Sequence, residues 1–98
     1  MTRKQALALT ATKFWEEMDD DARFRFQVNE DRLCMPFDVF HKAAEVALGR
    51  GVWTHEFASP ETLWKEYAGD KPRPTFQDIL ALLPKKKLIV LDLSEETP

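Results

Sequence analysis

The chain has 98 residues, a formal net charge of −3 and a single cysteine. A length of about 100 residues corresponds to one domain with one core, which excludes a cofactor domain beside a substrate domain, so we expect a single domain over residues 1–98. The lone cysteine favours a reducing compartment, and no stretch approaches the roughly 20 apolar residues that cross a bilayer, so we expect a cytoplasmic protein without membrane contact.

The N-terminal segment has the periodicity of a helix. Thr2 and Gln5 have the spacing of a capping box. Apolar residues then recur at helical spacing: Leu7, Ala11, Phe14 and Met18. We predict a helix over residues 3–19 that ends in the acidic run 19–21, because aspartates are poor helix formers and are unfavourable at the negative end of a helix dipole.

The period then changes from helical to alternating. Phe24, Phe26 and Val28 alternate with polar residues in RFRFQV, a pattern typical of a strand with one buried face. A turn at 29–31 follows. We predict a strand here, and a helix over 21–33 with Asp21 as its cap is the alternative.

The middle of the chain predicts a helix that begins at Pro36 and ends at Gly49 in a left-handed cap. Its apolar face is formed by residues at spacings of three and four: Phe37, Phe40, Ala44 and Leu48. After the sequence GRG, Val52 and Trp53 are predicted to form a short extended piece in which the tryptophan returns to the core. Thr54 is interpreted as a turn cap.

The C-terminal part predicts two more helices and a strand. Ser59 caps a helix that starts at Pro60 and stops at Gly69, and Thr75 with Asp78 caps a helix over 76–83. The run KKKLIVLDL predicts a strand over 85–93, and 94–98 is expected to be a frayed tail. About four helices with two or three short strands give a fold class of α+β.

Few residues are available for chemistry. His41, His55 and Glu56, with Cys34 and Glu45, could gather around one metal ion after folding, but their spacing does not require it and we assign no metal or cofactor. In the simpler interpretation Cys34 is a small buried hydrophobe, His41 pairs with Glu45 four residues later, and His55 pairs with Glu56 or with a carboxylate on the second helix. A nucleophile, a base and oxyanion donors cannot be nominated together, which favours a non-enzymatic role.

The stretch CMPFDVFHKAAEVALGRGVWTHEF, residues 34–57, resembles a bacteriophage-encoded domain family of unknown function with the pattern C-x-P-F-x-x-x-H-x-x-x-E-x-x-L-G-R-P-x-W-T-H-E. Gly51 stands where the pattern has proline. The residues that carry the resemblance are Cys34, Pro36, Phe37, His41, Glu45, Leu48, Gly49, Arg50, Trp53, Thr54, His55 and Glu56. The resemblance implies a phage or prophage origin and the bacterial host cytoplasm, and it implies no activity or catalytic residue.

These observations favour a small phage accessory protein that binds a host or phage protein, for example as an inhibitor of a host defence system of the anti-CRISPR kind. Candidate partner-binding residues are aromatic, polar or acidic: Trp53, Thr54, His55, Glu56, Trp64, Glu16, Glu17, Asp19, Asp20 and Asp21. A metal-assisted hydrolase using His41, His55 and Glu56 is one alternative. Weak nucleic-acid binding through Lys85, Lys86, Lys87 and Arg73 is the other, and the net negative charge does not favour it.

Overall fold

The computed structural model describes residues 1–83, which are helical and contain no strand. The elements in chain order are α1 (Arg3–Ala11), a first 3₁₀ helix (Phe14–Glu17), α2 (Asp20–Val28), α3 (Phe37–Leu48), a second 3₁₀ helix (Thr54–Ala58), α4 (Pro60–Ala68) and α5 (Phe76–Leu80). The predicted α+β class is therefore wrong. The strand predicted over 85–93 and the tail at 94–98 lie outside the described residues.

The predicted strand at 23–28 is part of α2, so the helical alternative is correct in kind. Its bounds and cap are wrong, because α2 spans Asp20–Val28 with Asp19 as its cap and does not run over 21–33 from Asp21. Phe24 and Phe26 are both fully buried, but they point to different neighbours. The ring of Phe24 lies 5.1 Å from that of Tyr67, whereas the ring of Phe26 lies 5.3 Å from that of Phe14. Residues two apart on a helix are about 200° apart around its axis, so this alternation reflects a helix that is covered on both sides.

The first helix is shorter than predicted. Its capping box of Thr2 and Gln5 is confirmed, but α1 ends at Ala11 and Lys13 follows in the left-handed region with a φ of 55°. The hydroxyls of Thr10 and Thr12 donate to the carbonyls of Ala6 and Leu9 at 2.7 and 2.6 Å, a competition with backbone bonding that weakens a helix end.

The acidic run begins α2 and does not end α1. Asp19 is the N-cap of α2, and its Oδ1 accepts from the N–H of Ala22 at 2.8 Å. Asp20 and Asp21 occupy the first turn, where negative charge is favourable with the helix dipole. The prediction that these aspartates lie at the C-terminal, negative end of the first helix is therefore wrong. They lie at the N-terminal, positive end of α2.

The segment between α2 and α3 is fixed by buried polar side chains. The Gln27 amide donates to the carbonyl of Arg32 and accepts from the N–H of Cys34, both at 2.8 Å. Cys34 is fully buried, and burial raises the pKa of its thiol to about 12. This confirms Cys34 as a buried hydrophobe, since a neutral thiol in the core is a poor nucleophile and a poor metal ligand.

The remaining helix ends follow the sequence signals closely. Gly49 ends α3, Pro60 is the first residue of α4, and the capping box of Thr75 and Asp78 begins α5. Three predictions are wrong in detail: Pro36 lies one position before α3, Ser59 precedes α4 without a side-chain cap bond, and α5 ends at Leu80 and does not reach residue 83. The core between these helices contains the buried side chains of Phe14, Phe24, Phe26, Phe40, Leu63, Ile79 and Leu80.

Candidate functional site

Residues 49–58 connect α3 to α4, and we call them the Trp53 turn. Gly49 closes α3 with a φ of 70°, a conformation that glycine adopts without steric cost. The N–H groups of Gly49 and Arg50 both donate to the carbonyl of Glu45, at 2.9 and 3.2 Å. The predicted left-handed cap is confirmed, and it satisfies an orphan carbonyl at the end of the helix.

Two side chains of α3 hold the peptide groups around Val52. The carboxylate of Glu45 accepts from the Val52 N–H at 2.9 Å, and Nε2 of His41 donates to the Val52 carbonyl at 2.5 Å. His41 Nε2 also lies 3.6 Å from Glu45 Oε2, so the predicted pair of these residues is confirmed. The pair fixes the start of the turn against α3, and Val52 is only 5% exposed.

Arg50 forms the polar centre of the turn. Its guanidinium contacts Glu56 through two hydrogen bonds of 3.1 and 2.7 Å, and Glu66 of α4 through two of 2.8 Å. Nη1 also donates to the carbonyl of Gly51 at 2.8 Å. All five N–H donors of the guanidinium are thus used in planar, fork-like contacts, which lysine cannot reproduce.

Arg50 lowers the pKa of both carboxylates that it contacts, Glu56 and Glu66. Hydrogen bonds from Arg50, together with the N–H of Trp53 at 2.8 Å, lower the pKa of Glu56 to about 2, and His55 lies close enough to contribute. Arg50 also lowers the pKa of Glu66. Both carboxylates are therefore ionised at neutral pH and link the second 3₁₀ helix to α4.

Trp53 itself points into solvent. Its side chain is 74% exposed, and Thr54 and His55 beside it are exposed as well. The prediction that Trp53 returns to the core is wrong. Phe57, which is partly buried, packs against the core instead, with its ring 4.9 Å from the ring of Phe40. Val52 and Phe57 anchor the turn from within and leave the tryptophan free on the outside.

Trp64, the other candidate tryptophan, lies in a different environment. It is 8% exposed on α4, and its indole N–H donates to the carbonyl of Lys71 at 3.3 Å. The ring packs 5.6 Å from that of Tyr67. Trp64 is thus part of the core beneath the α4–α5 connection, more than 60 percentage points less exposed than Trp53.

The acidic candidates lie on the first 3₁₀ helix and at the start of α2. Glu16 and Glu17 are exposed, and Asp19 is used as a cap. Asp20 forms an ion pair with Arg23 at 3.0 Å, and Asp21 lies 3.7 Å from Arg25. Asp21 also accepts a hydrogen bond from the hydroxyl of Tyr67. Asp19, Asp20 and Asp21 therefore have local partners that explain their position.

The structure does not gather the histidines and Glu56 into one ligand set. His41 faces the Val52 carbonyl, Glu56 is held by Arg50, and His55 is exposed. Among residues 1–83, no group of three or more His, Cys, Asp or Glu side chains is arranged to hold a metal ion. Of the basic candidates, Lys85, Lys86 and Lys87 lie outside the described residues.

Two residues of the site carried no signal in the sequence. Glu66 shares Arg50 with Glu56 although it is 16 positions away from Arg50 along the chain, and Phe57, not Trp53, packs against the core. An arginine between two glycines did indicate a special turn, but its partner on α4 depends on how α3 and α4 pack. The pairing therefore could not be assigned from local spacing.

Acidification tests the link between Arg50 and Glu56. Because the folded state favours the ionised carboxylate, its stabilising contribution is complete above about pH 4.5 and is lost as pH falls toward about 2. We expect NMR titration to show the Glu56 carboxyl and the Trp53 amide changing together near the lower value. In the Arg50→Gln variant the midpoint should rise toward the ordinary glutamate range, and an unchanged midpoint would contradict the assignment.

Comparison with known proteins gives one match. The model of a family described as "Domain of unknown function (DUF7736)" matches residues 24–81, from within α2 to just beyond α5, and so includes the whole Trp53 turn. No curated protein and no solved structure has a significant match to the chain. Within residues 1–83, every helix is too short or too polar to cross a membrane.

Proposed function

The chain belongs to the family of the domain of unknown function DUF7736, and we propose that it acts without catalysis by binding a partner protein through the Trp53 turn. The observation that carries this proposal is the 74% exposure of Trp53 on a segment whose backbone and neighbours are held by hydrogen bonds. Tryptophan is the residue most enriched among binding hot spots, and its large rigid ring loses little conformational freedom on binding.

The framework of the turn supports a binding role. Holding a loop in one conformation before it meets its partner reduces the ordering cost of association. Glu45 and His41 fix the peptide groups of Val52, and Arg50 fixes Glu56, whose carboxylate in turn holds the Trp53 N–H. These contacts shape the backbone on both sides of Trp53 without using its indole ring.

A phage or prophage origin and a site of action in the host cytoplasm are parts of this proposal that rest on the resemblance of residues 34–57. The residues that carry the resemblance include four that hold the turn: His41, Glu45, Arg50 and Glu56. These four residues hold the backbone on which the exposed Trp53 is presented, and a binding loop needs such a fixed backbone.

The partner we propose is a host protein, for example a component of a defence system, that is inhibited by direct docking. Imitation of DNA is a weaker form of the idea, because Asp19, Asp20 and Asp21 are used in a helix cap and in ion pairs. An apolar pocket on the partner that accepts an indole ring is the complementary feature we expect.

Site-specific photo-cross-linking tests the proposal in bacterial cells. A benzophenone amino acid replaces Thr54, which is exposed directly beside Trp53, so that the indole is retained, and illumination is expected to yield a discrete covalent adduct with one protein. The matched control carries the same group at Leu7, which is 61% exposed on α1 and far from the turn in sequence. Adducts that are absent at position 54, or that form equally at positions 54 and 7, would contradict the proposal.

A further inference from the structure

A second surface feature lies where the α4–α5 connection meets α2, and we call it the basic groove. It has a volume of about 1030 Å³, and its walls include Tyr67, Ala68, Lys71, Arg73 and Ile79. Arg25 of α2 and Asp78 of α5 also border it. None of these residues belongs to the Trp53 turn, so the groove is independent of the proposed function.

The walls of the groove are fixed by hydrogen bonds. Arg73 donates from Nε to the Asn29 side chain at 2.9 Å and from Nη2 to the Val28 carbonyl at 2.7 Å. On the other side, the indole of Trp64 donates to the Lys71 carbonyl at 3.3 Å. The connection also contains Pro72 and Pro74, which restrict its backbone, so the groove is formed before a ligand arrives.

The charge of the groove is positive although the chain as a whole is negative. Among residues 1–83 the groove is lined by three cations, Arg25, Lys71 and Arg73, and by one carboxylate, Asp78, which accepts from the Thr75 N–H at 3.0 Å. Arg25 is also paired with Asp21 at 3.7 Å, so Lys71 and Arg73 carry the unpaired positive charge of the lining. The partners of Arg73 are a neutral amide and a carbonyl. Within residues 1–83 neither Lys71 nor Arg73 forms an ion pair, so their charges are available to an anionic ligand.

The groove also presents apolar surface between its cations. Tyr67, Ala68, Ile79 and Leu82 contribute it, and the hydroxyl of Tyr67 is already bonded to Asp21. A ligand that fits must combine carboxylates with apolar side chains. The Trp64 ring is 8% exposed and offers no open face for base stacking, so single-stranded nucleic acid fits less well.

We propose that the basic groove binds a segment of a partner protein in which apolar side chains are flanked by aspartate or glutamate. The apolar side chains pack against Tyr67, Ala68 and Ile79, and the carboxylates meet Lys71 and Arg73. Complementary charge fixes the orientation of such a segment and accelerates its encounter with the groove.

NMR titration of the full-length ¹⁵N-labelled chain tests this assignment with defined probes. The first probe is a short blocked peptide in which leucine alternates with glutamate; the second alternates leucine with lysine, and the third is a short deoxythymidine strand. We expect the glutamate peptide alone to shift the amides of Tyr67, Ala68 and Lys71. Equal shifts from both peptides, tighter binding of the deoxythymidine strand, or shifts confined to other residues would overturn the proposal.

Charge reversal at Lys71 gives the quantitative test. Because Lys71 is exposed and forms no ion pair within residues 1–83, Lys71→Glu is expected to keep the fold and weaken the glutamate peptide at least about tenfold. Lys65→Glu makes the same charge change on α4 outside the groove and should weaken it less than about twofold. If Lys71→Glu loses the native spectrum, Lys71→Gln removes the charge with a smaller change and should still weaken binding.

Two outcomes of these titrations would also overturn the proposal. Equal weakening of the glutamate peptide by the Lys71 and Lys65 variants would mean that the peptide binds through the overall charge of the surface and not in the groove. Concentration-dependent shifts of the groove amides in the absence of peptide would mean that a second copy of this chain occupies the groove. Neither result bears on cross-linking from the Trp53 turn.

Discussion

Replacement of Trp53 by alanine is expected to weaken binding of the cross-linked partner by about 30-fold or more, which corresponds to roughly 2 kcal/mol at a hot-spot tryptophan. The indole is 74% exposed in the free protein, so its burial against a partner removes a large apolar area from water. Isothermal titration calorimetry with the purified partner measures the change.

The same substitution should leave the free protein nearly as stable as before. Trp53 is exposed and its backbone N–H, not its ring, bonds to Glu56, so we expect the free energy of unfolding to change by less than about 0.5 kcal/mol. A binding defect without a stability defect separates a contact residue from a packing residue. Urea denaturation followed by circular dichroism provides the second measurement.

Val46→Ala is the matched control for this experiment. Val46 is 56% exposed on α3 and, like Trp53, is an apolar side chain in solvent, but it lies outside the turn. Its truncation should change partner affinity by less than about twofold, because isolated exposed apolar residues on a surface carry little energy. Similar losses for both variants would place the contact elsewhere and remove the support for the Trp53 turn.

Helix ends could be predicted from the sequence because each depends on neighbouring residues only. The capping boxes of Thr2 and Thr75, the left-handed Gly49 and the initial Pro60 all lie where local chemistry indicates. The capping boxes require a side chain to reach a backbone group three positions away, and the glycine and proline signals depend on the φ angle of one residue. These helix ends can therefore be predicted without knowledge of the tertiary fold.

The secondary structure of residues 23–28 could not be predicted in the same way. Alternation of apolar and polar side chains indicates a strand only if a single face is buried. In α2, Phe26 faces Phe14 while Phe24 faces Tyr67, so both sides of the helix are covered by residues far apart in sequence. The alternating pattern correctly predicts that Phe24 and Phe26 are buried, but it indicates the period of a strand where the structure has a helix.

The site was accessible to sequence reasoning only in part. His41 and Glu45 are one helical turn apart, so their pairing was predictable, whereas the contact of Arg50 with Glu66 joins two helices and was not. Trp53 was expected inside because the turn needs an apolar anchor. That role falls to Val52 and Phe57, and the two alternatives cannot be separated without the course of the backbone.

Truncation of Phe24 to alanine should have the largest effect on stability, a loss of about 3–5 kcal/mol in the free energy of unfolding. Phe24 is fully buried, with its ring 6.5 Å from that of Phe40 on α3 and 5.1 Å from that of Tyr67 on α4. The substitution therefore leaves a cavity where three helices meet. Because small domains have only about 5–15 kcal/mol in total, the variant should approach its unfolding midpoint in mild urea.

The matched control is Phe37→Ala, which removes the same side chain from a position that is 39% exposed on α3. Its loss should be smaller, about 1–2 kcal/mol, since part of the ring is already in water. A Phe24→Leu variant, expected to retain more of the packing, keeps the comparison possible if Phe24→Ala does not fold. Comparable losses of stability at Phe24 and Phe37 would contradict the structure. Phe24 is fully buried and Phe37 is partly exposed, so truncation of Phe24 must lower the free energy of unfolding more.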